Sequence, residues 1–106
     1  MLAVAFGSAA CGKNSPMCRM RQGEAKADLT ALDEAQTRFH EAHQRFARSL
    51  EELHFTAPDP NYYELSIESA SENAYSAKAI GTRSVAGDVW RINQLGNPIV
   101  VTSSCQ

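Results

Sequence analysis

The sequence predicts an α+β fold in which one long N-terminal helix packs on a four-stranded antiparallel meander sheet. In the first half, mostly apolar positions recur at alternating four- and three-residue steps, which is typical of one helix face. These positions are Ala25, Leu29, Leu32, Gln36, Phe39, His43, Phe46, Leu50 and Leu53. In the second half, apolar and polar residues alternate with the period of two of half-buried strands. A helix stripe covering one face of such a sheet gives a two-layer domain.

The helix is predicted from about residue 19 to residue 43, because residues 24–57 contain no Gly or Pro and many good helix formers. The segment Ser49-Leu50-Glu51-Glu52 has the S-x-x-E form of a capping box, which marks a new helix start. We therefore expect a bend or break near residues 45–48 and a short second helix that ends at about Leu53.

Four short segments have strand character, and short connections join them. They are Tyr63, Leu65 and Ile67 in the first; Tyr75, Ala77 and Ala79 in the second; residues 89–92 in the third; and residues 98–102 in the fourth. Pro98 fits only the first position of a strand or an edge. Such short connections favour an antiparallel meander.

The N-terminal region is predicted to be distinct, with residues 1–18 an apolar leader and linker and residues 19–106 one globular domain. The apolar stretch of residues 1–10 is shorter than the roughly 20 residues that a membrane-spanning helix needs. It has the small residues of a signal peptide but no basic start. Residues 8–11 loosely match a lipoprotein cleavage site, which makes Cys11 a candidate for lipidation. A truncated start, a cloning remnant and a weak export signal stay open.

The three cysteines are Cys11, Cys18 and Cys105. In an exported protein, an odd count leaves one thiol free, lipidated or paired between chains. If Cys11 is lipidated or removed, Cys18 and Cys105 are the natural intrachain pair. That bond would tie the last strand to the start of the helix and close a loop of about 86 residues.

Composition and spacing argue against several functional classes. The net charge is −2, and the basic residues form no extended cluster of the kind that nucleic acid requires. His40 and His43 lie one turn apart on the predicted helix, but no third ligand has a suitable spacing. The serines have no G-x-S-x-G context. We therefore expect no catalytic, cofactor-binding, metal-binding or nucleic-acid site.

Three further residues carry structural expectations. Trp90 is expected to fill the core between helix and sheet rather than to form a ligand surface. Gln36 lies on the helix stripe and is expected to bond to the backbone of the facing sheet. Asp88 is expected to fix the turn after Gly87 by accepting from backbone amides.

Four segments, in consistent order over about residues 18–105, resemble type IV pilins and pseudopilins. Residues 18–26, followed by Leu29 and Ala35-Gln36, resemble the middle of the family's long helix. Residues 46–53 resemble the end of its soluble half, and residues 62–65 resemble its first strand. The pattern G-D-x-W-x-I-N-x-x-G at residues 87–96 resembles its third-strand hairpin.

The resemblance implies a non-enzymatic structural subunit similar to the globular head of a type IV pilin. Such a subunit would be exported and would contribute to a surface filament or a secretion-linked pseudopilus. Its partners would be other pilin-type subunits, meeting it through the long helix, and possible packing residues are Ala25, Leu29, Leu32 and Phe39.

The family's basic leader and apolar N-terminal helix have no counterpart in this sequence. Membrane attachment would then depend on a separate N-terminal pilin helix chain or on a lipid at Cys11. The alternative is a lipid-anchored periplasmic binding module with a pilin-like fold.

Overall fold

A computed structural model of the chain describes residues 16–58 and 62–105. Over these ranges one long helix precedes a short helix, a 3₁₀ turn and four strands. They are α1 (Pro16–His43), α2 (Leu50–Leu53), β1 (Tyr63–Ala70), β2 (Tyr75–Gly81), the 3₁₀ turn (Arg83–Val85), β3 (Val89–Asn93) and β4 (Ile99–Thr102). The strands lie in the order β1-β2-β3-β4, and each pairs antiparallel with the next. The predicted helix on a four-stranded antiparallel meander is confirmed.

Helix α1 begins at Pro16, three residues before the predicted start. Proline suits the first helical position, where its missing N–H has no intrahelical acceptor. Residues 16–18 are therefore helical and not part of a linker. The predicted leader and Cys11 lie outside the described residues.

The chain reverses direction after α1, and the side chain of Gln36 holds the reversal. Gln44 adopts a positive φ of 59° just beyond the helix. The Gln36 amide donates to the Ala47 carbonyl (2.9 Å) and accepts from the Ala47 N–H (2.8 Å). The fully buried Gln36 thus bonds to backbone, as expected, but to the segment after its own helix and not to the sheet.

Helix α2 has the predicted capping box in a modified form. The Ser49 hydroxyl accepts from the Glu52 N–H (3.1 Å), which is the expected N-cap bond. The Glu52 carboxylate accepts from the Arg48 N–H (2.8 Å) and pairs with Arg45 (2.6 Å). This capping box therefore reaches one residue further back than the usual form.

The core lies between α1 and the sheet, and Trp90 is part of it. Leu29 and Leu32 of α1 are fully buried, as are the small residues Ala77 and Ala79 of β2. Trp90 is 5% exposed and belongs to the same buried cluster. The prediction that Trp90 fills the core is confirmed.

Candidate functional site

Strand β4 forms an exposed apolar edge of the sheet. It pairs with β3 on one side only, with Trp90 opposite Val100 and Arg91 opposite Ile99. Ile99, Val100 and Val101 are 59%, 45% and 50% exposed, and Leu95 in the preceding turn is 75% exposed. We call these four residues the β4 surface. Ile99 and Val100 face opposite sides of the sheet, so β4 is an apolar edge rather than one flat patch. Exposed apolar groups on a folded domain are a feature of interaction sites.

The β4 surface carries no charge, whereas the rest of the sheet does. The sequence has no charged residue from Ile92 to Gln106. On the outer face of β1–β3, Glu68 accepts from Arg91 (3.0 Å) and lies 3.5 Å from Lys78. The bond from Arg91 lowers the pKa of Glu68. Because charged residues are depleted at interface cores, the contrast favours β4 as the contact edge.

The C-terminal segment after β4 is joined to α1 by a disulfide between Cys18 and Cys105. The two Cα atoms are 5.8 Å apart, and both residues are buried. The bond ties the end of β4 to the first turn of α1, so the β4 surface is fixed at one end to the rest of the domain.

Asp88 provides a second, non-covalent attachment in the same region. It is fully buried, and its Oδ2 accepts from Tyr63 Oη (2.5 Å) and Trp90 Nε1 (2.9 Å). Its Oδ1 accepts from Gln22 Nε2 (3.0 Å) and the Ser104 N–H (2.8 Å). Burial, and then the bond to Asp88, raise the pKa of Tyr63 far above 10.

The expectation that Asp88 fixes a local turn with its side chain is wrong. The main chain of Asp88 makes the bond across the turn, where its N–H donates to the Val85 carbonyl, and its carbonyl accepts from the Gly81 N–H. The side-chain donors lie on α1, β1, β3 and the C-terminal segment. One sequence signal was available: Asp88 precedes Trp90 by two residues, so both side chains face the same side of the strand.

Three of the four proposed subunit-packing residues lie inside this subunit. Ala25, Leu29 and Leu32 have no exposed surface, because the sheet of the same chain covers them. The expectation that they contact another subunit is therefore corrected. Phe39 is half-buried and contacts His43, with ring centroids 4.2 Å apart, and it also lies beneath Arg45.

The family model described as Type IV pilin-like G and H matches residues 22–106. The chain belongs to this family. A crystal structure of the non-core minor pilin PilV from Neisseria meningitidis has the same fold, with a TM-score of 0.70 and 15% sequence identity. That match covers 85% of this chain and 92% of the PilV chain. No curated protein sequence matches the chain.

The histidines of this pilin-like chain have structural contacts. His40 Nε2 lies 2.8 Å from the Glu72 carbonyl, and its ring packs on Phe46 at 4.5 Å between centroids. His40 thus links the end of α1 to the β1–β2 turn. Within residues 16–58 and 62–105, no three His, Cys, Asp or Glu residues are grouped as a metal site.

Several grooves of the pilin-like domain lie beside α2. One groove of about 270 Å³ lies between α2 and β1, and its lining includes Leu50, Leu65 and Ile67. Its charged members, Arg48 and Glu51, are exposed. In the part of the chain that the structure describes, no helix has both the length and the apolar composition needed to cross a membrane.

Proposed function

We propose that this chain is a structural pilin-like subunit that joins a surface filament or a secretion-linked pseudopilus. The observation that carries the proposal is the β4 surface, a charge-free and exposed edge strand on a pilin fold. An edge strand has unpaired backbone donors and acceptors, which a neighbouring chain can satisfy while covering the apolar side chains. We further propose that the subunit has no catalytic role.

The proposed partner is another pilin-type subunit that meets β4. The opposite edge strand, β1, carries Glu64 and Glu68 and is flanked by α2, whereas β4 presents only apolar and uncharged polar groups. An uncharged partner edge meets β4 without burying an unpaired charge, which would be costly. A strand of four residues is too small for a stable interface on its own, so the contact would act within a larger assembly.

The test is incorporation into filaments when the chain is co-expressed with the pilin-type subunits of its own genome. Val101→Lys places a charge on the β4 surface, and Ser66→Lys places the same charge at an exposed position on β1. We expect the wild type and Ser66→Lys to incorporate, and Val101→Lys to incorporate at least about tenfold less, since a buried unpaired charge costs more than the 1.4 kcal/mol of a tenfold change.

Two results would count against these proposals separately. Absence of the wild-type chain from filaments and pseudopili would refute the subunit role. Equal incorporation of the wild type and both variants would leave the subunit role intact and refute the β4 contact.

Export is part of the same proposal, and the buried Cys18–Cys105 disulfide supports it because such bonds persist in oxidising compartments. The alternative of a lipid-anchored periplasmic module depends on Cys11. Mass spectrometry of the mature N-terminus decides between them: a diacylated Cys11 supports the anchored module, and an unmodified chain refutes it.

A further inference from the structure

The C-terminal segment that carries Cys105 is held by hydrogen bonds as well as by the disulfide. The Ser104 N–H donates to Asp88 (2.8 Å). The Ser103 hydroxyl accepts from the Cys105 N–H (3.1 Å) and from Gln22 Nε2 (3.0 Å). Both residues before Cys105 therefore have partners elsewhere in the domain.

The same bonds reach the helix face that carries the other cysteine. Gln22 follows Cys18 by four residues in α1, so the two side chains lie on one face of the helix. The Gln22 amide donates both to Asp88 and to Ser103. We call Gln22, Asp88, Ser103 and Ser104 the Asp88 clamp. It holds the Cys105 segment against the Cys18 face without using either sulfur atom.

Correct disulfide pairing depends on contacts such as these, because Cys11 is closer to Cys18 in the sequence than Cys105 is. Cys18 is 87 residues from Cys105 but only seven from Cys11. The probability of loop closure falls as the power of about 3/2 of loop length, so an unfolded chain favours Cys11–Cys18 by about 40-fold. The folded structure nevertheless pairs Cys18 with Cys105.

We propose that the Asp88 clamp forms before the disulfide and selects Cys105 as the partner of Cys18. Asp88 is suited to this role because Tyr63 and Trp90 fix its other oxygen within the core. The clamp is then complete in the reduced, folded chain. The inference is independent of the proposed filament role, since it concerns the maturation of the subunit itself.

The oxidation is a thiol–disulfide exchange with a disulfide oxidant such as oxidised glutathione. One protein thiolate attacks the glutathione disulfide, forms a mixed disulfide and releases one glutathione thiolate. The second protein thiolate attacks the protein sulfur of that mixed disulfide and releases the second glutathione thiolate. Two protein thiols are oxidised, one glutathione disulfide is reduced to two thiols, and the two protons pass to the leaving thiolates.

The test is the pairing reached when the full reduced chain is oxidised in a glutathione buffer under native conditions. Alkylation stops the exchange, and peptide mapping gives the ratio of Cys18–Cys105 to Cys11–Cys18. We compare the wild type with Asp88→Asn. This substitution keeps the size of the side chain, but it replaces one acceptor oxygen with an NH₂ group that faces the groups donating to Asp88. Tyr75→Phe is the control, because it removes a hydrogen bond to Asp33 (2.5 Å) outside the clamp.

We expect the wild type and Tyr75→Phe to form mainly Cys18–Cys105, and Asp88→Asn to shift the ratio at least about tenfold toward Cys11–Cys18. In concentrated guanidinium chloride, all three chains should favour Cys11–Cys18 by about 40-fold. A native-condition ratio for folded Asp88→Asn equal to that of the wild type would overturn the proposal.

A milder variant covers the case in which Asp88→Asn does not fold, as judged by circular dichroism. In a Cys11→Ser background, Ser103→Ala removes one clamp hydroxyl at a half-buried position. That hydroxyl accepts two hydrogen bonds, one from Gln22 and one from the Cys105 N–H. We expect the equilibrium constant for forming Cys18–Cys105 against glutathione to fall at least about fivefold, the equivalent of one of these hydrogen bonds. An unchanged constant would overturn the proposal.

Discussion

At the scale of single residues, Asp88 illustrates how a carboxylate is tolerated in a small core. Removing a carboxylate from water is costly unless hydrogen bonds replace the lost hydration. Here a phenol, an indole, a side-chain amide and a backbone amide all donate to it. Because these groups come from both layers and from the C-terminal segment, Asp88 joins parts of the chain that are far apart in sequence.

Gly81 makes the position of Asp88 possible by the absence of a side chain. A Cβ at residue 81 would overlap the Val85 carbonyl and lie 2.9 Å from Asp88 Cβ. Overpacking of this kind displaces backbone, so Gly81→Ala should lower the free energy of unfolding by about 1–3 kcal/mol or more. Urea denaturation measures the change.

Gly23→Ala is the matched control for that substitution. A Cβ at Gly23 would meet nothing within 4 Å, and the residue lies inside α1. The alanine should raise the free energy of unfolding by about 0.5–1 kcal/mol, because glycine is the poorer helix former. Equal effects of the two substitutions would show that the overlap at Gly81 does not lower the free energy of unfolding.

Residue-scale prediction from sequence succeeded where the role depends on near neighbours. The Ser49 cap and the buried Trp90 were both predicted, because local spacing and residue type determine them. The partners of Asp88 and of Gln36 could not be predicted correctly. Their hydrogen bonds depend on which segments the fold brings together, and a single sequence does not contain that information locally.

At the scale of elements, α2 depends on the surface pair between Arg45 and Glu52. Arg45 donates to Glu52 through both guanidinium nitrogens, at 2.6 Å and 3.3 Å. The hydrogen bond from Arg45, followed by that from the Arg48 N–H, lowers the pKa of Glu52 to about 2. A charged Glu52 thus binds Arg45 and Arg48 of the segment after α1 and fixes that segment against the start of α2.

This shift gives α2 a defined pH dependence. The pKa of Glu52 is lower in the folded state than its ordinary value of 4.5, so its contribution is present above pH 4.5 and is lost as the pH falls toward 2. The difference in unfolding free energy between the wild type and Glu52→Gln should therefore shrink over that window. Urea titrations at several pH values between 2 and 7 measure it. A difference that stays constant with pH would contradict the assignment.

Element-scale prediction from sequence was accurate for boundaries and incomplete for environment. Strand β4 was predicted at residues 98–102, and it occupies Ile99–Thr102. Its apolar composition did not indicate that all four residues are exposed. The predicted meander already places β4 at a sheet edge. How far its side chains are covered depends on where the helix lies across the sheet, which the residues of the strand do not encode.

At the scale of the whole molecule, the described residues form a buried apolar core and leave other apolar side chains exposed, which include Met17, Met20 and Ile80 as well as the β4 surface. The helix stripe resembles the packing face of an assembling subunit, yet the chain's own sheet covers Leu29 and Leu32. By contrast, Leu95 and Ile99 are apolar residues left exposed at the opposite end of the sequence. We therefore expect substitution of Leu32 to change the stability of the domain and substitution of Leu95 to leave that stability nearly unchanged.

Leu32→Ala and Leu95→Ala separate these two roles. Leu32→Ala removes a fully buried side chain and should lower the free energy of unfolding by about 2–5 kcal/mol. Leu95→Ala acts at a residue that is 75% exposed and should change it by no more than about 0.5 kcal/mol. Urea denaturation of the isolated chain gives both values. If Leu32→Ala left the isolated chain as stable as the wild type, the stripe would not be core, and the original expectation that it contacts a neighbouring subunit would return.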